Sequence, residues 1–194
     1  MSEEGASFKE QILDASRRNN TELIDEIISN APADKLLHVL NESRDSLGNT
    51  PLHLTAKYGS YEVMDKLLDQ EGLELDPINN IDGDTPLHLA VRYSEHEPEH
   101  GTFISEELIE AGADARLQNK NGLKPLELVQ TSNDALQELL QSAEYAKSLE
   151  EEEAKRSEFE LRQAVGKKLT ISLGPEEQVD ELVDEGSASE SDDE

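Results

Sequence analysis

Residues 45–54 read DSLGNTPLHL, residues 80–89 read NIDGDTPLHL, and residues 119–128 read NKNGLKPLEL. Their glycines, Gly48, Gly83 and Gly122, stand 35 and then 39 residues apart, so the chain repeats a unit of that length. The chemistry of each copy is that of a tight turn running into a helix. Gly48 and Gly83 permit the positive φ that such a turn demands. Thr50 and Thr85 offer a capping hydroxyl to a helix whose first turn holds Pro51 or Pro86, where a missing N–H costs nothing. A break and a second amphipathic segment follow, YEVMDKLL at 61–68 and FISEELIEAGA at 103–113, with Gly59 and Gly112 placed to end helices. Leu52, Leu54, Ala56, Val63, Leu67 and Leu68 recur at helical spacing. No unit can bury such a face alone, so neighbouring copies must stack.

The pattern extends both ways. Upstream, ILDASRRN at 12–19 and ELIDEII at 22–28 match residues 52–68 at a constant offset of 40, a degenerate copy without its turn. Residues 31–40 add Pro32 and a short apolar helix. Downstream, Lys124 and Glu127 replace the Thr and His of the other copies, a polar variant suited to the end of a stack. From Asn133 a long helix is expected. Its apolar spacing (Leu136, Leu139, Leu140, Ala143, Ala146) fades near Leu149, leaving a charged, coiled-coil-like helix that is marginal by itself. KLTISL at 168–173 alternates but is expected to be unstructured, and residues 174–194 are expected to be disordered.

The GNTPLHL and GDTPLHL turns, the AKYG and EV that follow the first, and ELIEAGAD at 107–114 resemble the ankyrin repeat. The likeness covers residues 8–142. It implies an all-α ankyrin-repeat solenoid of helix-turn-helix repeats with β-hairpin loops, followed by a long C-terminal helix and a disordered acidic tail. The expected boundaries are a disordered N-terminus at 1–7, an N-cap at 8–40, and repeats at about 45–78, 80–117 and 119–142. A charged helical extension at 143–165 and the acidic tail at 166–194 complete the chain. The resemblance gives Gly48, Thr50, His53, Gly83, Thr85, His88 and Gly122 structural roles in the turns, with the imidazoles hydrogen-bonded to hold hairpin and helix start.

The same resemblance implies protein binding through a concave face made of hairpin tips and first helices. The paired positions before each inter-helix turn are Arg17 and Arg18, Lys57 and Tyr58, Arg92 and Tyr93, and Thr131 and Ser132. They form a ladder of bases and aromatics suited to carboxylates and aromatic side chains. The tips add Ser46, Leu47, Asn49, Ile81, Asp82, Asp84, Lys120, Asn121 and Leu123.

Charge bounds the partner. The chain carries 45 acids against 17 bases, a formal net of −28. Residues 174–194 hold ten acids and no Lys or Arg, yet residues 1–140 still hold 28 acids against 11 bases. Such a field repels nucleic acid and anionic lipid and favours a basic protein. Two occupants are therefore open: a basic client, such as a ribosomal protein, escorted by the acidic chain, or a folded enzyme or an acidic or aromatic peptide recognised by an adaptor or regulatory subunit. Ser187, Ser189 and Ser191 each precede an acid by three residues. They are candidate sites for an acid-directed kinase, each phosphate adding about −1.5 to −2 charges.

Catalytic readings find little support. The absence of cysteine excludes disulfides and thiol chemistry. HEPEH at 96–100 sets His96 and His100 four apart, but Pro98 forbids the continuous helix that a His-x-x-Glu-His zinc motif needs. It reads as a polar insertion in the turn between paired helices. His38 lies in an apolar helix without an evident partner, and no phosphate loop or Gly-x-Ser-x-Gly occurs. The expectation is a non-enzymatic monomer without cofactor. The acidic opening MSEEGASFKEQ has no apolar run and no segment reaches the roughly 18–20 apolar residues of a membrane span, so a cytoplasmic and also nuclear location is expected.

Overall fold

Each Thr-Pro-Leu-His segment starts a helix, and the chain reverses after two turns where Gly59 or Ser94 takes the C-cap. The computed structural model describes residues 7–130 and 132–172. Its helices are α1 (Phe8–Arg18), α2 (Thr21–Asn30), α3 (Ala33–Glu42), α4 (Pro51–Tyr58), α5 (Tyr61–Leu68), α6 (Pro86–Tyr93), α7 (Pro98–Ala111) and α8 (Asp134–Ser172), with a 3-10 turn at Pro125–Leu128. The described residues contain no strand: the expected hairpins are turns closed by single bonds such as Asp45 N–H to the Asn49 carbonyl at 3.0 Å.

The first helices α1, α4 and α6 pack in sequence order, and the 3-10 turn continues the row beside α6. Behind them, α2, α5 and α7 each pack on their own first helix. Helices α4 and α5 are apolar on two sides, as the middle of a stack requires. Leu54, Val63 and Leu67 join Ile12, Ile24, Ile27 and Leu40 in one core. Leu52, Ala56 and Met64 face the other way, toward Leu87, Ile104, Leu108 and Leu136. Each fully buried Leu or Ile contributes about 1.5–3 kcal/mol. Helix α3 supplies Leu36 and Leu40 to the first core, and Asn41 fastens it to the loop after α5 by bonds to the Gly72 carbonyl and the Glu74 N–H.

Three elements differ from expectation. Helix α7 begins at Pro98 rather than Phe103, because Pro98 occupies its first turn, where proline's fixed φ suits a helix. Gly101 allows the longer α7 to approach α6, since a Cβ there would stand 2.5 Å from the Ser94 Cα. In the third repeat the first helix is only the four-residue 3-10 turn, after which Val129 is extended. Helix α8 runs to Ser172, past the expected boundary at 165 and through most of KLTISL, because good helix formers precede that segment without a Pro or Gly pair to stop them.

The chain divides after Glu150 into two compact units. The second is described through its stretch of α8, where Lys155–Glu151, Arg156–Glu160 and Arg162–Glu158 form i,i+4 pairs at 2.9, 3.5 and 3.3 Å. Phe159 and Leu161 are exposed there. The acidic residues 173–194, with Ser187, Ser189 and Ser191, lie outside the described residues.

Candidate functional site

The hairpin turns frame the first-helix face, and one polar side chain organises each. Asp45 Oδ1 accepts the N–H groups of Leu47 and Asn49 at 2.8 and 2.9 Å. Asn79 Oδ1 takes those of Asp82, Gly83 and Asp84 at 3.1, 3.0 and 3.3 Å, and Asn119 Oδ1 those of Asn121 and Leu123 at 3.0 and 3.1 Å. Gly48, Gly83 and Gly122 then turn the chain with φ of 82°, 67° and 75°. Asp45 and Asn119 stand three residues before their glycine but Asn79 stands four before, so the second turn holds one extra residue.

Successive turns are tied together. Asn79 Nδ2 donates to Asn49 Oδ1 at 3.3 Å, and Asn119 Nδ2 to Asp84 Oδ1 at 2.8 Å. Backbone bonds run alongside, from Asn80 N–H to the Leu47 carbonyl at 3.0 Å and from Lys120 N–H to the Asp82 carbonyl at 2.8 Å. Asn49 and Asp84 are fully buried in this network. That corrects their assignment to the exposed tips: their side chains are the links between repeats, out of a partner's reach.

The histidines extend the linkage. His53 Nδ1 accepts the Thr50 N–H at 3.2 Å and the Thr50 hydroxyl at 2.8 Å, while Nε2 stands 2.9 Å from the Asp84 carbonyl in the next repeat. A carbonyl only accepts, so Nε2 carries the proton and the ring is neutral. Burial pushes the His53 pKa down to about 4, only partly opposed by the Asp84 carbonyl. His88 repeats the arrangement with Thr85 and the Leu123 carbonyl, and burial lowers its pKa as well. Glu127 stands where the third histidine would, and its Oε2 accepts the Lys124 N–H at 2.8 Å.

On this frame the ladder residues fall into separate groups. Arg17 is exposed and paired with Asp45 at 3.2 Å beside a cleft of about 670 Å3 that Ser46, Lys9 and Asp14 also line. Arg18 is paired within its own helix to Asp14 at 3.0 Å. Lys57, Arg92 and Tyr93 meet around a smaller cleft of about 220 Å3 whose other walls are Leu89 and His96. Tyr58 is half exposed beside it, with Lys57 Nζ 5.7 Å from its ring centroid. Arg92 Nε reaches the buried Asp84 Oδ2 at 2.9 Å.

Tyr93 is half-buried rather than free. Its phenol lies over Gly59, where a Cβ would collide with it, and its hydroxyl bonds His100 Nδ1 at 3.2 Å. Among the tips, Ser46, Leu47, Ile81, Lys120 and Asn121 are exposed, Asp82 and Leu123 are half-buried, and Lys120 Nζ is held by the Asn80 and Ile81 carbonyls. Ser132 is exposed, and Thr131 lies outside the described residues.

HEPEH is divided by the start of α7. His96 lines the small cleft, and His100 is engaged by Tyr93. No cluster of three metal-ligating side chains occurs among the described residues, and none of their helices is long and apolar enough to cross a membrane. His96 and Leu89 are cleft residues that the sequence reading did not select. Leu89 could have been found as the helix position one turn before Arg92 and Tyr93.

A model of three ankyrin-repeat copies matches residues 12–99, and a single ankyrin-repeat model matches residues 82–120. The chain is 55% identical over 150 residues to Ankyrin repeat-containing protein YGL242C of Saccharomyces cerevisiae, covering 75% of this chain and 83% of that one. With the stacked helix pairs and their histidine-linked turns, these likenesses establish that the chain belongs to the ankyrin-repeat family, whose repeats generally mediate protein–protein interaction.

Proposed function

We propose that this chain is a non-enzymatic, monomeric adaptor or regulatory subunit that receives part of a protein partner on the face built by α1, α4, α6 and the hairpin turns. The observation that carries the reading is the cleft in which Lys57, Arg92 and Tyr93, from two successive repeats, meet Leu89 and His96. On the same repeats the turns expose Leu47, Ile78 and Ile81, and α4 exposes Tyr58, apolar surface of the kind that anchors interfaces. The reading involves no cofactor, nucleic acid or membrane, and places the work in the cytoplasm and nucleus. Phosphorylation at Ser187, Ser189 and Ser191 would tune affinity by adding negative charge.

A second reading, escort of a basic client such as a ribosomal protein, is favoured by the opposite side. Burial, and then Glu110, Asp65 and Glu106, push the Glu107 carboxyl up, so carboxylates of α5 and α7 face one another there. A photo-crosslinking residue at Tyr58 or at Glu110 of the full chain, expressed in cells, separates the two. The first reading expects a protein adduct from position 58. Adducts from position 110 alone would replace it with the second.

A further inference from the structure

The small cleft has a charge balance that names its occupant more closely. Elsewhere on the repeats the bases are largely committed. Arg17, Arg18, Lys66, Arg116 and Lys124 each hold a carboxylate at 3.2 Å or less. The Lys57 ammonium has no ion pair and no hydrogen bond among the described residues. It lies beside the Tyr58 ring, a contact that leaves its three donors open. Arg92 is anchored through Nε, its side chain is 40% exposed, and no described residue engages its Nη groups.

Asp84 balances one of these two cations, leaving the formal charge of Lys57 uncompensated in a chain of net −28. A single carboxylate would neutralise it while drawing on the Lys57 and Arg92 donors together. A phosphate, at about −1.5 to −2 charges, would overshoot and meet the acidic field of the rest of the chain. At about 220 Å3 the cleft is smaller than the pockets that hold free small molecules, which run to about 300–1,000 Å3. It is the size for one side chain of a larger partner. Leu89 and Tyr93 give it an apolar wall, matched by an apolar neighbour of the acid.

From this geometry we infer that the Lys57–Arg92–Tyr93 cleft is the seat for one aspartate or glutamate side chain, flanked by an apolar residue, in a docking segment of the protein partner. The inference rests on the first-helix face being the binding face.

The test is peptide display against the full chain, followed by fluorescence anisotropy with a selected peptide. The selected peptides should share an acidic residue next to an apolar one. Replacing that acid by its amide, or Lys57 by Gln, should each weaken binding about tenfold. The two changes together should cost little more than either, since they remove the same contact. Selection of basic or uncharged peptides, or of none, would overturn the inference, as would a phosphoserine peptide that binds more tightly than the carboxylate one. Selected peptides that respond to Tyr58→Ala and Ile81→Ser but not to Lys57→Glu overturn the carboxylate seat and leave the face standing. Peptides indifferent to all three variants overturn the face as well. Unchanged circular dichroism of each variant keeps loss of folding apart from loss of binding.

Discussion

His53 is a neutral side chain whose two ring nitrogens join one repeat to the next. An unfolded histidine takes its proton near 6.5, whereas folded His53 refuses it until about 4. Between those values the unfolded state binds more protons, so stability rises with pH across the window and is lost as pH falls through it. The full effect for His53 is roughly 3 kcal/mol, and His88 acts in the same direction. Urea unfolding at pH 7 and pH 5 should therefore show a loss of stability, and His53→Gln should show a smaller one. Equal slopes for the two proteins would remove His53 as the source. Gly59→Ala places a side chain at φ 69° and against the Tyr93 phenol. It should cost about 1–2 kcal/mol, read from the same unfolding curves. The helix start is legible in TPLH itself, from a capping threonine and a proline in the first turn, whereas the histidine's bonding role is legible only through the resemblance to the ankyrin repeat. The burial of Asn49 and Asp84 is legible in neither, since a polar residue in a turn gives no sign of which neighbour will accept its bonds.

At the scale of elements, the links between hairpins carry the register of the stack. Asp84 is buried between Arg92 and Asn119, and its loss strands the Asn119 amide and frees Arg92 to water. Asp84→Ala should cost about 2 kcal/mol, with Asp82→Ala, on the half-buried position beside it, costing less; thermal melts of the two compare them directly. Matching the glycines aligned Asn80 with Asp45, but the turn is organised by Asn79. One inserted residue moved the functional position without disturbing either neighbour in the motif. Position decides the effect of proline in α7 as well: inside a helix Pro98 would be a barrier, whereas at the first helical position the same ring favours one. Lys124 and Glu127 mark the third repeat as a polar end variant, but they do not announce the collapse of its first helix to a single 3-10 turn. The segment of α8 beyond Glu150 carries i,i+4 pairs worth about 0.2–0.5 kcal/mol each. Its amides should exchange within seconds in hydrogen-exchange experiments, while those of Leu54 and Leu89, in α4 and α6, stay protected far longer. Equal protection would show that this segment is fastened by more than its own pairs.

For the whole molecule the excess of acids is a cost that salt relieves. A formal −28 makes the folded state repel itself, and ions at about 0.15 M shorten the reach of that repulsion to about 8 Å. The melting temperature should rise by a few degrees between 10 mM and 300 mM sodium chloride. A fall would mean that attractive pairs such as Lys66–Asp25 and Lys124–Glu144 outweigh the net charge. The division of labour in the sequence is legible at this scale. Turn motifs and apolar spacing specify the stack, and the proposed recognition falls to exposed positions left over from that task. The identity of the binding face is tested most directly by quantitative affinity capture from cell extract with three forms of the full chain. They are the unaltered protein, Lys57→Glu with Tyr58→Ala on the first-helix face, and Glu110→Lys on α7. Docking on the first-helix face predicts that proteins captured by the unaltered chain are lost with the double variant and kept with Glu110→Lys. Retention by the double variant and loss with Glu110→Lys would contradict it.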